Sequence, residues 1–271
     1  MLKPRRYRGH DVARARNIAE RLALALLAAL FVALAVLAPI GQPQQYHRLA
    51  DMRAMALGSF VLPNAADVLT SLPFALVGGA GLLLCRRAPP AQRTPLAVFF
   101  AGLMLTGAGS AWYHLAPTDA SLTWDRLPMT VAFAGAVGAV ATERLGAESG
   151  PRWLAGWLLL GLASVAVWRL AGDLRLYGLA QYGGLAMLLL WTRLPAAAGA
   201  LRLPWGVLLA AYVVAKGFEV FDRALWVLTD GLIAGHALKH VVAALGVVPL
   251  LRALLKVQSG DAGRRGHPGG I

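Results

Sequence analysis

Long apolar runs separated by short polar connections constrain this chain more than any other feature. A helix needs about 20 predominantly apolar residues to cross a bilayer. Eight stretches meet that length, over roughly residues 19–40, 64–84, 95–115, 121–144, 152–171, 174–192, 204–222 and 231–256. Turn-forming residues mark the connections, as in Ala88-Pro89-Pro90, Ala116-Pro117-Thr118-Asp119 and Gly150-Pro151. One loop is longer, from about 41 to 63. The pattern predicts an all-α polytopic membrane protein with eight spans.

Composition agrees with a bilayer as solvent. The chain is 58% hydrophobic and 14% charged, where soluble domains average about 45–50% and about 25%. Its 30 glycines fit the close helix packing that small residues permit in membranes. The net charge of +13 does not imply nucleic acid, because the basic residues lie between apolar runs rather than on one polar surface. The single cysteine, Cys85, excludes an internal disulfide.

The first run follows a basic stretch (Lys3, Arg5, Arg6, Arg8, Arg14, Arg16) and resembles a secretory signal. It exceeds the roughly 7–15 residues of a signal's apolar region, so a retained helix is expected. Alternating connections then receive eighteen Lys and Arg on the N-terminal side and six on the other. That bias puts both termini in the cytoplasm. Three units follow: residues 1–45, a basic N-terminus with the extra span; 46–257, the core of seven spans; and 258–271, a Gly-rich tail expected to be disordered.

Ionisable groups inside spans are costly and point to function. They are Asp67, His114, Asp125, Lys216, Glu219, Asp222, His236, Lys239 and His240. The third span runs outward, so Ser110 and His114 fall near its outer end. The fourth and eighth run inward, which puts Asp125, His236 and His240 in the same outer layer. His236 and His240 are spaced i, i+4 and share a helix face. Two imidazoles so placed can bind one metal, and His114 supplies a third at matching depth. Three protein ligands with an open fourth position is the pattern of catalytic zinc. Ser110, one turn below His114, could stabilise an oxyanion. Asp125 could act as general base and then general acid, or orient a histidine. Plainer roles stand beside these: packing for the histidines, a bond to a helix carbonyl for Ser110, a helix cap for Asp125 and Asp67. Asp67 could also touch the pocket. A Lys216–Glu219 pair at i, i+3 is expected as a structural ion pair. Trp112, Tyr113, Trp124 and Trp226 read as an interfacial aromatic belt. His10, His47 and His267 receive no role.

Three segments together, Gly109-Ser110-Ala111-Trp112-Tyr113-His114, Trp124-Asp125-Arg126-Leu127-Pro128-Met129 and Gly235-His236-Ala237-Leu238-Lys239-His240, resemble the alkaline ceramidases. These belong to the CREST superfamily of membrane hydrolases, which includes the adiponectin-receptor-like proteins. The resemblance covers about residues 50–256. It implies a seven-helix core, a zinc ion on His114, His236 and His240, Ser110 at the oxyanion and Asp125 handling the proton. The implied reaction is hydrolysis of the N-acyl amide of ceramide. The first span has no counterpart in that core. The family's acidic calcium site is represented only by Asp51, Asn64 and Asp67, too few carboxylates for a cation that takes 6–8 oxygens, so no calcium is expected. The Ala-, Leu- and Arg-rich composition points to a bacterial inner membrane with the site on the periplasmic side, and to ceramide or another N-acylated lipid drawn from the bilayer. The rival reading is a receptor, or a protein holding a structural metal, on the same fold. The oligomeric state is not legible.

Overall fold

A computed structural model describes the backbone of residues 9–264 and the side chains of 13–257. The helices are α1 (Gly9–Val36), α2 (Ala65–Leu84), α3 (Pro90–Leu115), α4 (Asp119–Arg144), α5 (Ser149–Ala171), α6 (Arg175–Trp191), α7 (Trp205–Val220), α8 (Asp222–Leu228), α9 (Gly235–Leu245) and α10 (Val248–Arg264). Five segments are long and apolar enough to cross a membrane: Ala13–Val36, Ala65–Arg87, Pro90–Leu115, Ser149–Ala171 and Gly235–Val257. The chain is thus a multi-pass helical membrane protein.

The helix ends follow local chemistry. Pro90 opens α3 at its first turn, where a missing amide proton costs nothing. Thr118 caps α4 in a reciprocal capping box with Ser121. Asp125 lies well inside that helix, so the capping role considered for it belongs to Thr118.

The last span departs most from expectation. Residues 230 and 231 adopt positive φ (49° and 75°), and α9 begins only at Gly235. His236 and His240 therefore lie in its first turn and a half rather than deep in a long helix. Helix α9 stops at Leu245 and α10 starts at Val248. Pro249 explains the break, having no amide proton to continue the ladder and a ring that clashes with the preceding turn. Helix α10 reaches Arg264. Residues 265–271 of the expected tail, His267 among them, lie outside the described residues.

The long loop is structured. It holds a 3-10 turn (Gln44–His47) and an antiparallel hairpin, β1 (Met55–Leu57) with β2 (Phe60–Leu62), turning at Gly58. His47 is used here: Nδ1 lies 3.0 Å from the Tyr113 hydroxyl and Nε2 3.1 Å from Asp119 Oδ1. It ties the loop to the α3–α4 corner. Tyr113, fully buried against it, is no belt residue, whereas Trp112 and Trp124 are exposed as a belt requires. Trp226 instead carries the Arg53 guanidinium 4.7 Å from its ring centre.

The core is a stack of α3, α4 and α5 flanked by α2, α6 and the α7–α9 pair. A side chain at Gly109 would collide with the Trp124 carbonyl. Only glycine lets α3 and α4 touch there, and that contact puts Ser110 and Asp125 on the wall of one cavity.

Candidate metal centre and apolar cavity

Two helices supply one buried cluster. His114 comes from the last turn of α3, and His236 and His240 from the start of α9. One ligand atom from each lies within 4.8 Å of the others. Ring centres are separated by 4.8, 5.1 and 5.0 Å. Both ring nitrogens of His114 and Nε2 of His236 are enclosed without a hydrogen-bond partner. Buried imidazole nitrogens left unpaired are costly, and a shared cation would satisfy them. The donor set can hold a metal ion.

Neighbouring groups orient the cluster. Thr70 Oγ donates to the Ala66 carbonyl at 2.7 Å. Its oxygen is then the acceptor for His240 Nδ1 at 3.2 Å, which leaves His240 Nε2 as the free lone pair. The Asn64 amide holds the His114 carbonyl at 2.8 Å. Asp222 accepts from the His236 backbone amide at 2.7 Å and from Ala50 N at 3.1 Å. One carboxylate thus caps the histidine-bearing helix and clamps the outer loop over it. Gly235 makes this docking possible, because a side chain there would strike the Phe218 carbonyl. Sequence reading passed over Thr70, Asn64 and Asp222 as orienting groups, since their partners lie up to 172 residues away. Replacing Asp222 with alanine should cost about 1.5–3 kcal/mol for a charge-assisted bond and weaken metal retention. Thermal unfolding with metal analysis checks this, and a variant matching wild type in both would refute the clamp.

Asp67 is fully buried, and neither carboxylate oxygen has a hydrogen-bond partner. It stands in the first turn of α2, where its charge suits the helix dipole, but it caps no amide. Asp51 is engaged by its neighbour Arg53, at 2.9 and 2.8 Å. Burial works against ionisation there, yet the Arg53 hydrogen bonds hold the Asp51 carboxyl below its ordinary value.

Ser110 Oγ lies 3.1 Å from Ser71 Oγ, whose own proton is engaged by the Asp67 carbonyl at 2.8 Å. Ser110 and Asp125 both line a cavity of about 730 Å³ that reaches His240, inside the roughly 300–1,000 Å³ range of ligand pockets. Its walls are mainly apolar: Phe99, Leu103, Phe133, Leu188, Leu208 and Val247, with Leu30 and Leu34 of α1 closing one side. The expected Lys216–Glu219 pair is present. Glu219 also takes Lys239 at 2.9 Å and the Tyr46 hydroxyl at 3.1 Å.

No family model matches the chain, and no curated protein does. Its class rests on fold and site: a multi-pass helical membrane protein whose three buried histidines form a candidate metal centre at the edge of an apolar cavity.

Proposed function

We propose that the protein is a zinc-dependent membrane amidase, hydrolysing the N-acyl amide of ceramide or a related N-acylated lipid. One observation carries this reading: His240 of the histidine cluster, Ser110 and Asp125 all face the same apolar cavity. The sequence resemblance to alkaline ceramidases supports it. We further propose eight crossings, with α4, α6 and α7 completing the five apolar segments. Helix α4 is 26 residues long, about 39 Å at 1.5 Å per residue, and polar site residues dilute its hydropathy. Both termini would face the cytoplasm of a bacterial inner membrane, with the histidines toward the periplasm, as the Lys and Arg bias requires.

Zinc bound to His114, His236 and His240 supplies Lewis-acid activation of water and of the amide carbonyl. The protein's own groups do the rest. Asp125 accepts a proton from the attacking water as its oxygen bonds to the carbonyl carbon. Ser110 donates to the carbonyl oxygen as it gains charge. Asp125 returns the proton to the nitrogen as the C–N bond breaks, releasing an amine and a fatty acid. The apolar walls hold the acyl chain and keep bulk water away.

The test is fatty-acid release from a panel of N-acyl lipids by purified, zinc-loaded protein. Release that stops on chelation and returns with zinc is expected. A folded, zinc-loaded protein that cleaves nothing in the panel would leave the receptor reading.

A further inference from the structure

Four cations line the cavity: Arg126, Arg175, Lys216 and Lys239. Arg175 pairs with Asp173 at 2.7 Å, and both lysines converge on Glu219. Among the described residues, Arg126 has no carboxylate partner. It is only 7% exposed. Its guanidinium stands 4.2 Å from the Trp168 ring centre, 4.9 Å from Tyr177 and 6.0 Å from Tyr46. One terminal nitrogen, Nη2, donates to Gln42 Oε1 at 2.5 Å. The other, Nη1, is enclosed with no partner. An aromatic box stabilises the cation through its faces, but the planar fork donates along its edge, in the geometry that suits carboxylate, phosphate or sulfonate.

Position in the cavity says which half of a substrate would meet it. Phe99 lies eleven residues before Ser110 on α3, about 16 Å along the axis, so the apolar chamber extends away from the histidines on one side. Arg126 follows Asp125 directly, and its box joins the outer loop (Gln42, Tyr46) to the α5–α6 corner (Trp168, Tyr177). With the acyl chain in the chamber and the amide at Ser110 and Asp125, the remaining direction leads to Arg126.

We propose that Arg126 anchors an anionic group on the amine half of the substrate, so that the preferred lipid is an N-acyl conjugate of an acidic amine rather than a neutral one. This rests on the amidase reading above. The probes are N-palmitoylglycine and N-palmitoylethanolamine, which share an acyl chain and differ in charge. Wild-type kcat/KM should favour the glycine conjugate by about tenfold or more, the scale of one charge-assisted hydrogen bond. Arg126→Gln should lose that preference while keeping its zinc. Arg126→Lys keeps the charge but not the fork, and its ratio should fall between the two. It also decides the matter if the glutamine variant misfolds. Equal use of both amides by wild type, or a preference that survives Arg126→Gln, would overturn the proposal.

A binding arm stands apart from catalysis. Thioether analogues with –CH2–S– in place of the amide cannot be hydrolysed, so their affinities report the subsite even if no amide is cleaved. The acid should bind wild type about tenfold tighter than the alcohol, and Arg126→Gln equally to both. Free palmitate that competes as well as the acid analogue, in an Arg126-dependent way, would place the anion on the fatty-acid half and refute the assignment.

Discussion

Replacing His236 with alanine is expected to remove bound metal and hydrolysis together. The three rings come from two helices, α3 and α9, and share one small space, so two ligands cannot substitute for three. Elemental analysis of purified protein should give about one zinc per wild-type chain and essentially none in the variant, with fatty-acid release at background. The fold should survive, because His236 Nε2 has no hydrogen bond in the protein to lose and the backbone clamp by Asp222 remains. Metal that binds only the folded state adds to its stability. The proper comparison is therefore metal-free wild type, which should unfold within a few degrees of the variant. Hydrolysis that persisted without metal would refute the mechanism. A folded wild type with no metal would point to a fold kept without the chemistry.

Asp125→Asn should separate proton transfer from metal binding. The change keeps the shape but removes the proton-accepting charge. Turnover should fall by about 10²–10⁴, the usual contribution of a positioned acid–base group, with zinc content unchanged. The alternative role, orienting a histidine, predicts zinc loss in step with activity. The hydrogen bonds favour the first. His240 Nδ1 is taken by Thr70, and His114 has no partner at either nitrogen, so no carboxylate steers these rings. Near-normal turnover in Asp125→Asn would end the acid–base assignment.

The two roles differ in how visible they are in a sequence. The His236–His240 pair is legible because a helix period puts residues four apart on one face. Asp125 is legible as a charge inside an apolar run, which is expensive enough to require a reason. Thr70 carries no such signal. A threonine in a membrane helix usually bonds back to its own backbone, as Thr70 does, and its second bond to His240 exists only because α2 packs on α9. Asp222 and Arg126 were visible as charges, but their uses were not. One caps a helix reached after a turn, and the other stands in a box assembled from the outer loop, α5 and α6.

The sequence by itself determined the helical membrane class, most helix limits and the histidine set, because hydropathy, proline placement and i, i+4 spacing act over a few residues. Tertiary structure alone decided the rest. It set the short α9 that lifts His236 and His240 to a helix start, the loop tied down through His47 and Asp222, and the cavity closed by α1. It also fixed the orientation of each imidazole. These depend on contacts between residues up to 180 apart, such as the touching backbones at Gly109 and Gly235. Their energies arise only when the helices meet, so no local pattern announces them.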